Sequence, residues 1–130
     1  MAKQKAKYPP GPVSTVGVHV LAEMWGASAD LLNDAERVES VLGEAVTAGG
    51  ATLINICVHQ FAPHGVTGTA TLAESHICIH TWPESNYAAV DVFMCGRGDA
   101  HRALEYLREK LRPGRVEIVE LKRGVPGEGA

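Results

Sequence analysis

The segment Ser75-His-Ile-Cys-Ile-His-Thr-Trp82, followed by Pro83-Glu-Ser-Asn86 and Tyr87-Ala-Ala-Val-Asp-Val-Phe-Met94, reads as two strands joined by a short reversal. Ile77 and Ile79 alternate with His76, Cys78 and His80, the period of two that sends neighbouring side chains to opposite faces of a sheet. Pro83 and Asn86 mark the reversal, because Pro cannot donate to a strand ladder and Asn tolerates turn backbone. A connection this short joins antiparallel strands.

The pattern continues on both sides. Upstream, Leu53 to Phe61 and Val66 to Leu72 are further short strands, separated by turn residues Pro63 and Gly65. Downstream, Gly96 and Gly98 end the β-rich region, and Asp99 caps a helix carrying Ala103, Leu104, Leu107 and Leu111 that stops near Pro113 and Gly114. Arg115 to Leu121 follows as a last strand, on which Glu117 and Glu120 read as solvated. At the start, Val16 to Trp25 reads as a strand closed by Gly26. Ser28 or Asp30 then caps a single helix whose apolar positions Leu31, Leu32, Ala35, Val38, Val41, Leu42, Ala45 and Val46 recur at helical spacing, with Gly49 and Gly50 ending it. The order strand, helix, several strands, helix, strand predicts an α+β two-layer sandwich: an antiparallel sheet with helices on one face.

A chain of 130 residues suits one domain. Residues 14–123 are expected to form it, with 1–13, rich in Pro and Lys, as a flexible arm and the Gly-rich 124–130 as a frayed tail. With 45% hydrophobic and 21% charged residues the composition is that of a globular protein, and a net charge of -3 offers no basic field for nucleic acid. The apolar runs are too short for a membrane helix, and the arm lacks the apolar stretch of a secretory signal, so the expected compartment is the cytoplasm. Three cysteines, Cys57, Cys78 and Cys95, without paired spacing are expected to be free thiols there.

Between Leu72 and Gly96 the chemistry concentrates: Ser75, His76, Cys78, His80, Trp82 and Glu84 fall in ten consecutive positions of otherwise strand-like sequence. A polar group buried without a partner costs about 1–3 kcal/mol, so such a cluster is either on a solvated face or in a site. A serine hydrolase is disfavoured, since Ser75 lacks a G-x-S-x-G turn. A zinc site could draw on His59, His64, His76 or His80 with a cysteine, but neither C-x-x-C nor H-E-x-x-H spacing is present, and no metal is expected.

Glu74-Ser75-His76, Ile79-His-Thr-Trp-Pro-Glu84, Tyr87-Ala-Ala-Val-Asp91 and Cys95-Gly96 together resemble the prokaryotic S-adenosylmethionine decarboxylases, short pyruvoyl-dependent proenzymes. The likeness extends to Gly17-Val-His-Val-Leu-Ala-Glu23 and Phe61-Ala-Pro-His-Gly-Val-Thr-Gly68, covering most of residues 16–123. It implies self-cleavage between Glu74 and Ser75 into a β chain, 1–74, and an α chain, 75–130. It further implies a covalent pyruvoyl group made from Ser75 and conversion of S-adenosylmethionine to its decarboxylated form, the aminopropyl donor for spermidine.

The residue types suit that chemistry. Only Ser, Thr or Cys can turn the preceding amide into an ester, and a neutral imidazole, with an ordinary pKa near roughly 6.5, can remove the Cα proton in the elimination that follows. The resemblance assigns that base to His80 and a processing hydroxyl to Thr67, where many members have Ser. The pyruvoyl carbonyl would form the Schiff base with substrate, and Cys95 would be the proton donor. Taken alone, Cys95 is as much at home in a core, and Cys57 and Cys78 are read as core. The resemblance also places the adenine on Phe61, with Trp82 adjacent, and the ribose hydroxyls on Glu84. A carboxylate is a natural acceptor for vicinal hydroxyls, and the alternative for either ring is plain core packing. His19 and Glu23 are the next candidates.

Strand parity adds one constraint. On a regular strand Ser75 shares a face with Ile77 and Ile79, while His80 shares the other with His76, Cys78 and Trp82. Ser75 and His80 of one chain should then point apart, so either the strand is irregular near the cut or the site draws groups from two protomers; the resemblance implies the second, an active site at the interface of an obligate homodimer. The other readings are a pyruvoyl-dependent arginine or ornithine decarboxylase on the same scaffold, and an unprocessed regulatory homologue.

Overall fold

The computed structural model describes residues 15–126. The arm expected at 1–13 and the end of the tail lie outside the described residues. Six strands, β1 Gly17–Trp25, β2 Leu53–Gln60, β3 Val66–Leu72, β4 Ser75–Trp82, β5 Tyr87–Cys95 and β6 Arg115–Arg123, form one sheet in the order β2-β3-β4-β5-β1-β6. Every neighbouring pair is antiparallel. Helices α1 Ala29–Leu32, α2 Ala35–Ala48 and α3 Ala100–Leu111 supply the second layer. The antiparallel sheet and the strand boundaries agree with the sequence reading to within a residue or two.

The first helix does not. Asn33 and Asp34 interrupt the single helix expected from Ser28 or Asp30, leaving one turn, α1, before α2. Asp34 is extended (φ -106°, ψ 97°), and its carboxylate accepts from the Arg37 backbone N–H, so it and not Ser28 or Asp30 is the working N-cap. Short Asn and Asp side chains compete for the backbone in this way. Asn33 is also engaged elsewhere, its Oδ1 accepting from Gly65 N–H at 2.8 Å and from Gln60 Nε2 at 2.9 Å.

The core lies between helices and sheet. Val20, Ala22 and Met24 of β1, Ile77 and Ile79 of β4 and Val90, Val92 and Met94 of β5 are buried with Val38, Leu42 and Ala45 of α2 and Ala103, Leu107 and Leu111 of α3. Each such Leu, Ile, Val or Met side chain stabilises the fold by about 1.5–3 kcal/mol. The alternate residues, among them His19, Thr67, His76, His80 and Asp91, share the opposite face, which no helix among the described residues covers. Among the described residues no helix is long and apolar enough to cross a membrane.

Gly68 of β3 is where α2 comes closest to the sheet. A Cβ there would lie 2.7 Å from Leu42 Cδ1 and 3.2 Å from Ile79 Cγ2. Gly68→Val should therefore destabilise the protein by about 1–3 kcal/mol through overpacking, measured as the shift in denaturant midpoint at unchanged slope.

Candidate active site

Two groups of side chains, at opposite ends of β4, account for the residues singled out in the sequence. The first surrounds the turn between β3 and β4. Leu72 pairs with Ser75 across the two-residue connection Ala73-Glu74, and Glu74 sits at φ 62°, a left-handed conformation. For a residue with a Cβ this costs about 1–3 kcal/mol. Cys95, ending β5, donates its thiol to the Glu74 carbonyl oxygen, with Sγ 3.0 Å away. The same sulfur lies 3.7 Å from Ser75 Oγ, and the Cys95 backbone N–H donates to that hydroxyl at 3.3 Å. A hydroxyl, the carbonyl preceding it and a thiol hydrogen-bonded to both thus share one strained turn.

The second group lines a cleft of about 330 Å³ formed by Phe61, His64, Thr67, His80, Thr81, Trp82 and Glu84. Thr67 and His80 are cross-strand partners, and Thr67 Oγ1 lies 3.0 Å from His80 Nδ1. Phe61 and Trp82 keep 48% and 42% of their surface exposed, so neither is core packing. Phe61 is held by its N–H to the Gly65 carbonyl at 2.8 Å, and the Asn33 contacts pin the same loop. Thr81 is buried beneath the cleft, donating to the Leu32 carbonyl at 2.7 Å and accepting from Val66 N–H at 2.9 Å. Glu84 sits in a single 3-10 turn, Pro83–Ser85, with His64 Nε2 3.3 Å from its carboxylate. Trp82 stacks on Tyr87 at 5.3 Å and Tyr87 on Trp25 at 4.3 Å. The Tyr87 hydroxyl donates to Glu23; burial and that carboxylate push its pKa up to about 12, so it remains a donor.

Between the groups lies a network that local sequence did not reveal. Asp91 Oδ2 accepts from His76 Nε2 at 2.7 Å and from His19 Nε2 at 2.8 Å, while Arg123 donates to His19 Nδ1 at 3.1 Å. A guanidinium can only donate, so Nδ1 is the acceptor and the His19 proton sits on Nε2. His19, His76 and Asp91 also have the donor types of a metal site, but here those atoms are spent on one another. Burial raises the Asp91 pKa, yet the hydrogen bonds from His19 and His76 outweigh it and the net shift is downward. Burial and the nearby Asp91 charge raise the Cys78 thiol, against the Thr69 hydrogen bond.

Parity holds along β4: Ile77, Ile79 and Thr81 are buried, while His80 and Trp82 are exposed on the other face. Five residues of strand carry the chain roughly 16 Å, so Ser75 and His80 of one chain do not meet. Cys57 and Cys78, read from the sequence as core, instead flank Thr69 on the sheet face opposite the helices, since Ile56 and Ile77 take the inward positions. His19 and Glu23, engaged by Asp91 and Tyr87, line a second cleft of about 160 Å³ that shares His80 with the first. The His19–Asp91–His76 contact depends on β1 lying beside β5, a long-range pairing with no local signal, whereas the position of His64 in the Phe61 loop could have suggested it from sequence.

A family model described as S-adenosylmethionine decarboxylase matches residues 18–124. An S-adenosylmethionine decarboxylase proenzyme of Methanococcus vannielii is 49% identical over 111 residues, 85% of this chain and 91% of the relative. One from Moorella thermoacetica is 47% identical over 111 residues, 85% of this chain and 89% of its own. The crystal structure of the adenosylmethionine decarboxylase from Aquifex aeolicus superposes with a TM-score of 0.82 at 39% identity, covering 91% of this chain and 98% of that one. The chain belongs to the S-adenosylmethionine decarboxylase family.

Because Asp91 is held below the ordinary carboxylate value, about 3.9, its ionised form stabilises the fold above that pH, and the contribution is lost as the pH falls through the lowered folded value. Asp91→Asn is expected to lower Tm at neutral pH and to flatten its decline between about pH 5 and 2, read by thermal melts across that range.

Proposed function

We propose that this chain is a self-cleaving, pyruvoyl-dependent S-adenosylmethionine decarboxylase, supplying an aminopropyl donor for polyamine synthesis and working as a homodimer of cut protomers. The observation that carries the reading is the Glu74-Ser75 junction, where the Cys95 thiol donates to the Glu74 carbonyl beside the Ser75 hydroxyl.

Cleavage follows from these groups. Ser75 Oγ attacks the Glu74 carbonyl carbon, whose oxygen is polarised by Cys95 Sγ–H, and the C–N bond breaks as the hydroxyl proton passes to the Ser75 nitrogen, leaving an ester. The left-handed Glu74 raises the energy of the intact turn and so favours its opening. A base then removes the Ser75 Cα proton, the Cβ–O bond breaks, and Glu74 departs as a carboxylate. Water hydrolyses the resulting enamine, releasing ammonia and leaving a pyruvoyl end. The residues present fit that group: a serine heads the second segment and a thiol adjoins it. Once formed, the group supplies an electron sink for decarboxylation.

The remaining residues bind and move protons. Cys95 is placed to return a proton near residue 75, where its S–H can act as a general acid. Phe61 and Trp82 offer flat faces to a purine, and Glu84 two acceptor oxygens to ribose hydroxyls. Thr67 orients the His80 ring. The distance between His80 and Ser75 within one chain supports a dimer in which each complete site takes Ser75 and Cys95 from one protomer and the cleft with His80 from its partner. The uncovered polar sheet face suits that interface.

Denaturing mass spectrometry of wild-type protein should give two fragments divided before Ser75, the second beginning with a pyruvoyl group, while Ser75→Ala stays whole. A single full-length mass for the folded wild type would overturn the reading. Glu84→Gln should process normally but raise KM for S-adenosylmethionine on the order of tenfold, with arginine and ornithine releasing no carbon dioxide. Ser75→Ala and His80→Ala, each uncut alone, should on co-expression yield cleavage of the His80→Ala chain; its absence in a verified mixed dimer would exclude the shared site.

A further inference from the structure

Cutting the chain before Ser75 severs the β3–β4 turn and makes residue 75 a chain end, and strand ends fray unless tied down. The ties that hold Ser75 in the intact chain do not survive. Its pairing with Leu72 loses the covalent turn, and its hydroxyl, which contacts Cys95 N–H and Sγ, leaves with the Glu74 carboxylate. On the other side the β4–β5 register begins one residue later, at His76 opposite Phe93. His76 is therefore the first side chain able to hold the new end.

It is held from three strands. Its Nε2 donates to Asp91 on β5 at 2.7 Å, and the same oxygen takes the His19 proton from β1 at 2.8 Å. Arg123 on β6 completes the chain at His19 Nδ1, 3.1 Å away. Both imidazoles also pack on Phe93, with ring centroids at 5.6 Å and 6.0 Å, and meet edge to face at 5.5 Å. A single carboxylate oxygen shared by both rings leaves each little freedom to turn without breaking the other's hydrogen bond.

We infer that Asp91 is a positioning residue of the processed enzyme: with His19 and Arg123 it clamps His76 and so holds residue 75 against its substrate once the turn is cut. The inference rests on the cleavage proposed above. It predicts a division of labour, since self-cleavage occurs while the turn still holds Ser75, whereas turnover depends on a tethered end. A displacement of about 1 Å at a reacting group can cost on the order of a hundredfold in rate.

The test measures cleavage and turnover separately on wild type, Asp91→Ala, His76→Phe and His76→Gln. Asp91→Ala and His76→Phe should complete self-cleavage within a few-fold of the wild-type rate, yet after full processing show kcat lowered at least about tenfold with little change in KM. His76→Gln keeps a donor for Asp91 and should recover most of the loss. Hydrogen exchange at the amides of residues 76–79 should rise in processed Asp91→Ala but not in the uncut Ser75→Ala/Asp91→Ala chain. Normal turnover by both processed Asp91→Ala and His76→Phe would overturn the clamp while leaving the cleavage reading intact. So would cleavage and kcat falling in parallel with faster exchange throughout the sheet, which marks a merely structural role. A wild-type chain that stays whole would overturn both.

Discussion

An antiparallel strand sends successive side chains to opposite faces, and this sheet spends one whole face on burying the helices. Ile77, Ile79 and Thr81 of β4 and Val90, Val92 and Met94 of β5 go inward, leaving His76, Cys78, His80, Asp91 and Phe93 on a face that no layer among the described residues covers. Buried polar groups need partners, and this division lets a 130-residue chain carry so many reactive side chains without opening its core. Thr81, the one buried polar side chain among the described residues, meets the requirement with bonds to Leu32 and Val66.

The same alternation separates the chemistry. Within a protomer, Ser75 and Cys95 lie at one end of β4 and β5, and His80 with the cleft lies toward the other end. No rotamer change bridges five residues of strand. The proposed two-fold assembly resolves this by juxtaposing unlike ends of two copies, and it makes catalysis depend on the uncovered face twice, for the interface and for the site. A cleft with two half-exposed aromatic rings is open in the isolated chain for the same reason.

At the Glu74-Ser75 junction local strain and hydrogen bonding act together. A two-residue turn with Glu at φ 62° is unfavourable where Gly or Asn would be relaxed, and the Cys95 thiol on the carbonyl lowers the cost of adding a nucleophile there. The core strands on either side hold the turn in place, so the strain is stored by the packing of Ile77, Leu72 and Met94 and not by the turn itself.

Much of this was legible in the chain. Strand and helix positions follow from spacing that any short window displays, and Asp99 and Gly49 mark helix ends through local hydrogen bonding alone. The opposition of Ser75 and His80 follows from counting by twos. The break at Asn33 was missed because Asn33 is drawn away by Gly65, 32 residues along the chain. Parity alone puts Cys78 on the face of His76 and His80, but which face of the sheet the helices bury is a tertiary property, and on it depends that Cys57 and Cys78 lie outward. The Arg123–His19–Asp91–His76 network joins residues up to 104 positions apart. By itself, then, the sequence determined the strands, the alternation of their side chains and the candidate chemistry, all properties of nearest neighbours; only the tertiary structure decided that β1 lies between β5 and β6, because strand order depends on how the helices share one sheet face, a balance of packing that no local window contains.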